Sequence, residues 1–255
     1  MSSWFLLPPE ALEGKKKVIL QKEHLSHLKA LRLAGGDPIV LADGRGRAYK
    51  ARLEYIGSQN AEASLLYELA QKVEPPLEVT LFLGVSKREK IDLVVRHSVE
   101  LGVRKIIPVM TERTVVKITA EKGKEKAMRW RKIAASAAAQ CQRSFIPEIF
   151  PPLPFTEALA LMREHSNEEN PVIVPWEEET RLGIGELAEK IKNPSSVSLF
   201  TGPEGGFSLQ EMEKLRKITG IYPVTLGPRI LRAETAPLAV LSIVMYLWGD
   251  LSGGG

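Results

Sequence analysis

The period of the apolar positions changes near residue 75, and the change divides the chain into two patterns. Before it, short apolar runs alternate with turn signals. Asp37–Ala42 reads as a strand entering the turn Asp43-Gly44-Arg45-Gly46, and Ala48–Tyr55 alternates as the returning strand. Leu25, Leu28 and Leu31 keep helical spacing over His24–Leu33, with Gly35-Gly36 as the stop, and Ala61–Glu68 completes a small, mostly β unit. Glu74-Pro75-Pro76 is a stiff linker, because consecutive prolines continue neither a helix nor a ladder.

After the linker, buried-strand runs alternate with helical periods. Val79–Gly84 precedes an amphipathic helix over Lys87–Leu101, whose inward face is Ile91, Val94, Val95, Ser98 and Leu101 and whose stop is Gly102. Lys105–Val109 and a long helix over Ala120–Cys141 follow. Further strand–helix pairs are Glu148–Phe150 with Pro154–Glu164, Pro171–Val174 with Gly183–Lys192, Ser196–Thr201 with Ser208–Thr219, and Ile221–Leu226 with Glu234–Trp248. Such alternation predicts a parallel sheet covered on both faces, so the chain is expected to be α/β with a small β-rich N-terminal domain.

Composition adds limits to this picture. With 255 residues, 44% hydrophobic and 26% charged, the chain can bury a core and is neither disordered nor repetitive. Its single cysteine, Cys141, excludes an intramolecular disulfide and suits a reducing compartment, and no structural metal site is expected. The longest apolar run, Ala236–Trp248, falls short of the roughly 18–20 residues a membrane span needs. The N-terminus shows no signal-peptide pattern, so cytoplasm is the expected location. The net charge of +4 is unevenly spread: residues 84–150 hold 15 Lys and Arg against 7 Asp and Glu, whereas 151–200 hold 4 against 9. The basic middle third is either a contact surface for a polyanion or a set of solvated helix faces.

Two loops carry the candidate chemistry. In Thr201-Gly202-Pro203-Glu204-Gly205-Gly206-Phe207-Ser208, glycines let main-chain groups approach a ligand at the carboxyl end of a strand, and Ser208 can cap the next helix over Glu211. Three glycines around a Pro-Glu pair favour a ligand loop over a plain tight turn. The second loop, Leu226–Pro237, places Arg229, Arg232 and Glu234 before a nearly all-apolar helix, where Glu234 would also suit the helix dipole. Other patterns fail on context. Gly183-Ile184-Gly185-Glu186-Leu187-Ala188 has Glu177-Glu178-Glu179 upstream where a dinucleotide fingerprint needs a buried strand. No phosphate-loop motif is present. His24 and His27 read as helix-surface residues and Cys141 as a buried structural thiol.

Together, Thr201-Gly-Pro-Glu-Gly-Gly-Phe207 and Leu226-Gly-Pro-Arg-Ile-Leu-Arg-Ala-Glu-Thr-Ala236 resemble the C-terminal signature of the RsmE-type 16S rRNA uridine-N3 methyltransferases of the SPOUT superfamily. Glu100-Leu101-Gly102-Val103, Ile107-Pro108, Gln140 with Arg143 and Pro147, Leu31-Arg32-Leu33, Gly36-Asp37 and Asp43-Gly44 extend the likeness over nearly the whole chain. The resemblance implies a PUA-like RNA-binding β-barrel over 1–73 and a trefoil-knotted SPOUT methyltransferase domain over 77–255. It also implies S-adenosyl-L-methionine as cofactor, a homodimer, and 16S rRNA or the 30S subunit as partner, with no membrane and no metal.

By the same resemblance, cofactor contacts fall on Thr201, Gly202, Glu204, Gly205, Gly206, Leu226, Gly227, Ile230, Leu231 and Arg232. Arg232 and Glu234 are the implied catalytic residues: a cation near uridine O2 or O4 would stabilise the developing anion, and Glu234 would orient Arg232 or accept the N3 proton. RNA contacts are expected at Arg32, Arg45, Arg47, Gln140 and Arg143. Two alternatives stay open: a SPOUT enzyme acting on tRNA or a ribose 2′-hydroxyl, and a non-catalytic RNA-binding protein.

Overall fold

The computed structural model describes residues 3–70, 73–116 and 118–253 and divides into two compact units, 1–74 with 135–146, and 75–134 with 147–255. In the first unit, β1 (Ser3–Leu6), β2 (Lys17–Leu20), β3 (Pro38–Ala42), β4 (Ala48–Ile56) and β5 (Ala61–Glu68) form a sheet of order β1-β3-β4-β5-β2. The β1–β3 pair is parallel, with Ser3 opposite Ile39, and the other pairs are antiparallel. Helices α1 (Pro9–Leu12) and α2 (Lys22–Ala30) complete it. Leu20, Leu28, Ile39, Leu41 and Leu53 are fully buried and form its core with Phe5; a side chain of this size contributes about 1.5–3 kcal/mol on burial.

Two expectations change here. Helix α2 stops before Gly35-Gly36, because Arg32 takes the left-handed conformation (φ 55°), donating from its N–H to Lys29 O (3.0 Å) while Leu33 N–H donates to Leu28 O (3.1 Å). This is the Schellman closure that a glycine usually provides. His27 is exposed, as expected, whereas His24 is half-buried, and both pack on Phe5. Their rings lie 6.3 and 5.0 Å from that of Phe5, and His24 Nε2 is 3.2 Å from Leu6 O. Strands β1 and β2 are too short to have shown a period, and β2 exposes Ile19 on its outer face.

The second unit carries a parallel sheet of order β12-β10-β11-β6-β7-β8, from β6 (Glu78–Gly84), β7 (Lys105–Met110), β8 (Glu148–Ile149), β10 (Val172–Pro175), β11 (Ser196–Thr201) and β12 (Ile221–Val224), with β9 (Leu153–Pro154) also paired to β7. Its helices are α3 (Arg88–Glu100), α4 (Ala120–Gln140, whose last turns cluster with the first unit), α5 (Phe155–His165), α6 (Ile184–Lys190), α7 (Leu209–Arg216) and α8 (Thr235–Trp248). Ile91, Val94, Val95 and Ser98 are buried on α3, as the periodicity predicts; Val99 is buried with them, and Leu101, just past the helix end, is only half-buried. Phe200 is the centre of one core: it is fully buried, with ring centroids of Phe207 at 4.7 Å and of Phe82 and Phe155 at 6.1 Å. Strand β11 is therefore rigid up to Thr201, where the first candidate loop begins.

Candidate cofactor site at the carboxyl edge of the sheet

Five strand ends, those of β6, β7, β10, β11 and β12, feed loops onto one edge of the parallel sheet, the edge where open α/β folds hold ligands. The loop after β11 is fixed from both sides. Ser208 Oγ accepts from Glu211 N–H (3.2 Å), and the buried Glu211 carboxylate accepts from Ser208 N–H (3.0 Å), closing the expected capping box. The second oxygen of Glu211 accepts from Glu112 N–H (2.9 Å), and Arg113 donates to Gly205 O (3.0 Å), so the loop after β7 braces the glycine loop. Strand β6 leaves no slack either: a Cβ on Gly84 would stand 2.6 Å from the carbonyl carbon of Gly202 and 2.8 Å from Pro203 Cδ.

The loop after β12 is anchored at both ends. Thr225 N–H donates to Leu182 O (2.9 Å), and Gly227 N–H donates to Thr225 Oγ1 (3.1 Å). At the other end, the N–H groups of Thr235 and Ala236 donate to Arg232 O (2.8 and 2.9 Å), which fixes the backbone of Arg232 at the start of α8; its guanidinium makes no side-chain hydrogen bond or salt bridge among the described residues, and its charge acts on Glu234.

Between these loops lie two adjoining cavities. The first, of about 470 Å³, is bounded by Trp176, Leu226, Gly227, Pro228, Ile230 and Leu231, with Glu177 and Glu179 at its rim. The second, of about 340 Å³, is bounded by Thr201, Gly202, Glu204, Gly206, Arg232 and Lys90 among others. Both volumes fall in or near the range of small-molecule sites. The wall of the first is stiffened by Arg216, which lies 4.7 Å over the Trp176 ring and 3.3 Å from the Glu179 carboxylate. Glu179 titrates below the usual carboxylate range, chiefly because Arg181 N–H donates to it (2.9 Å).

Two features mark the second cavity as built for a ligand. Thr201 is 1% exposed, yet its hydroxyl has no partner, although a buried hydroxyl ordinarily finds one. Ile230 is 87% exposed at the rim of both cavities, an apolar side chain left for a ring to cover. The electrostatics centre on Lys90, whose Nζ is 3.0 Å from Glu234 Oε2 and 3.8 Å from Glu204 Oε1. Glu204 also accepts from Lys87 N–H (3.1 Å), capping the amino end of α3. The ion pair with Lys90 holds the Glu234 carboxyl below its usual range, against the opposing effect of burial. Glu234 occupies the N-cap position of α8 but makes no side-chain cap, because its carboxylate is turned to Lys90.

Of the candidate residues, all the cofactor-loop positions except Gly205 line the two cavities; Gly205 faces Arg113. Lys90, Trp176 and Glu177 were not singled out from sequence. Lys90 lies on a helix face that reads as solvated, and the acidic run after β10 serves above only to argue against a dinucleotide motif. The five RNA candidates gather in the first unit, where the 43–47 turn is tied to 144–146: Gly46 N–H donates to Ser144 O (3.1 Å) and Ile146 N–H to Gly44 O (3.0 Å). Arg32, Arg45 and Gln140 are exposed, with no side-chain partner among the described residues. Arg47 pairs bidentately with Glu68 (2.9 Å each), which raises the Arg47 pKa and lowers that of Glu68. Arg143 is 3% exposed and held by Glu74 (2.7 and 3.1 Å), a structural pin.

Among the described residues no three His, Cys, Asp or Glu cluster in a way that could hold a metal ion, and no helix is long and apolar enough to cross a membrane. Residues 73–245 match the family model of the RNA methyltransferase domain. Ribosomal RNA small subunit methyltransferase E of Bacillus subtilis (strain 168) is 29% identical over 252 residues, 96% of each chain. The protein of that name from Buchnera aphidicola subsp. Schizaphis graminum is 33% identical over 245 residues, 94% of this chain and 95% of its own. The crystal structure of ribosomal RNA small subunit methyltransferase E from Neisseria gonorrhoeae, bound to S-adenosyl methionine, superposes with a TM-score of 0.87 at 35% identity, covering 98% of this chain and 100% of that one. The fold is thus that of the SPOUT methyltransferases with a PUA-like sheet at the N-terminus, and the chain belongs to the ribosomal RNA small subunit methyltransferase E family of RNA methyltransferases.

Proposed function

We propose that this chain binds S-adenosylmethionine in the paired cavities and methylates N3 of one uridine of 16S rRNA, presented in the 30S subunit, acting in the cytoplasm. The observation that carries the reading is Thr201, whose buried hydroxyl has no partner and which lines a cavity walled by both loops, since an unmade buried hydrogen bond costs about 1–3 kcal/mol unless a ligand completes it. The apolar wall of the first cavity, Trp176, Leu226, Pro228 and Ile230, suits a purine, and the charged groups of the second suit a methionyl tail. When bound, the cofactor supplies an electrophilic methyl group.

In this reading Arg232, which lines the second cavity and makes no side-chain hydrogen bond or salt bridge among the described residues, offers its positive charge to the anion that develops over uridine O2 and O4 as the ring N–H proton leaves. Glu234 is a positioning residue, because a carboxylate held ionised by Lys90 is a weaker base and a firmer anchor. Arg32, Arg45 and Gln140 are the proposed RNA contacts, and Arg143 and Arg47, already paired, support the surface around them. A homodimer is supported by α8, which carries no charged residue yet leaves Ile243, Tyr246 and Leu247 exposed at 38%, 61% and 36%. Incubation with methyl-labelled S-adenosylmethionine and 30S particles from cells lacking the activity is expected to transfer a single methyl group per particle. No transfer to 30S particles or to free 16S rRNA would overturn the proposal.

A further inference from the structure

The two cavities adjoin, and the residues that line both form the seam between them. Pro175, Glu177, Ile230, Leu231 and Ala236 bound both, and Glu177 is the single polar residue among them. On the first-cavity side stand the apolar Trp176, Leu226 and Pro228 with Glu179 and Arg229 beside them, and on the other the charged groups of Lys90, Glu204 and Arg232. The Glu177 carboxylate is exposed and has no hydrogen-bond or ion-pair partner among the described residues. It packs directly on Gly206, which has φ +67° and on which a Cβ would collide with Glu177 Oε1. The glycine therefore lets the carboxylate lie flat against the first loop, at the seam of the site.

A bound S-adenosylmethionine presents its groups in a fixed order: an apolar purine, then a ribose with two vicinal hydroxyls, then a charged aminocarboxypropyl tail. A compartment with an apolar wall of Trp176, Leu226, Pro228 and Ile230, meeting a charged one beside a shared carboxylate, follows the same order. We infer that Glu177 is a specificity-determining residue for the ribose, accepting hydrogen bonds from its vicinal hydroxyls, an assignment that rests on the cofactor reading above. A carboxylate with two oxygens is matched to a vicinal diol, which offers two donors about as far apart, and acidic side chains serve ribose in this way in other nucleotide sites. The position is open to solvent, so the effect belongs at the low end for charged hydrogen bonds, about ten-fold in affinity.

The test measures calorimetric binding of S-adenosylhomocysteine and of its 2′,3′-dideoxy counterpart to the full-length protein and to Glu177→Ala and Glu177→Gln. Wild type is expected to prefer the ribosyl compound about ten-fold, Glu177→Ala to bind both equally at the weaker level, and Glu177→Gln, which keeps an acceptor oxygen, to fall between. Thermal unfolding of both variants without ligand should match wild type, since the side chain holds nothing in place. A Glu177→Ala protein that keeps the wild-type affinity and the wild-type preference for the diol would overturn the inference while leaving the cofactor reading intact. A wild-type protein that binds neither compound would overturn both.

Discussion

Replacing Thr201 by valine should move stability and ligand affinity in opposite directions. The side chain is 1% exposed at the end of β11, and its hydroxyl makes no hydrogen bond. Valine keeps the shape and the β-branch while removing the unsatisfied group, so the ligand-free protein sheds a penalty of about 1–3 kcal/mol. For a chain of this length each kcal/mol corresponds to roughly 2–4 °C in Tm, and a rise of about 2–12 °C is expected if the whole penalty is recovered. The same change removes a hydrogen bond that a ligand in the second cavity would complete, weakening S-adenosylhomocysteine about 2- to 10-fold. Differential scanning calorimetry of the ligand-free protein and isothermal titration with S-adenosylhomocysteine give the two numbers. A Thr201→Val variant that is less stable and binds with unchanged affinity would refute the reasoning, because the hydroxyl would then be satisfied in the free protein and idle in the complex.

Gly84→Ala forces backbone atoms of Gly202 and Pro203 away, where no flexible side chain can give; it should cost about 1–3 kcal/mol in urea unfolding and, by shifting the first loop, lower kcat/KM about 100-fold. Glu211→Ala leaves Ser208 N–H and Glu112 N–H without their shared acceptor, and a loss of about 2–4 kcal/mol in the same unfolding assay is expected, because the site is buried. The Lys90–Glu234 pair sets a pH dependence. With the Glu234 pKa depressed in the folded state, its stabilisation is complete above the usual carboxylate range and is lost as pH falls through the folded value. Cofactor affinity measured from neutral pH downward should therefore hold until that point, and Lys90→Met should move the acid limb upward. Tyr246→Lys, at a 61% exposed position on α8, should convert the proposed dimer to monomer in light scattering and lower activity with it; a wild-type protein that is already monomeric would refute the proposed dimer.

The parallel sheet was legible because its strands are apolar on both faces and its helices keep a clear 3.6 period; Val197, Leu199 and Phe200 on β11 and the inward face of α3 stand where the spacing puts them. The two glycine-rich loops were legible from the residues and the family likeness together. The loops' supports were not. Lys90 looks like any lysine on a helix surface, and only the return of the chain through α8 brings Glu234 within 3.0 Å of it. Glu177 sits in an acidic run whose meaning depends on which strand lies beside β10, and that order, β12-β10-β11, carries no local signal. Arg143 illustrates the opposite error of reading: an arginine in a basic segment suggests phosphate, yet burial beside Glu74 engages it inside the protein. In the first unit, Arg32 replaced the glycine expected to end α2, since hydrogen-bond closure can hold a non-glycine residue at positive φ.

Mapping the modified nucleotide tests the central claim most directly. After reaction of the purified protein with 30S particles from cells lacking the activity, nuclease digestion and mass spectrometry of the 16S rRNA should show 3-methyluridine at a single position, abolished by Arg232→Ala. A methyl group found instead on a ribose 2′-oxygen, on tRNA, or on no nucleotide at all would contradict it.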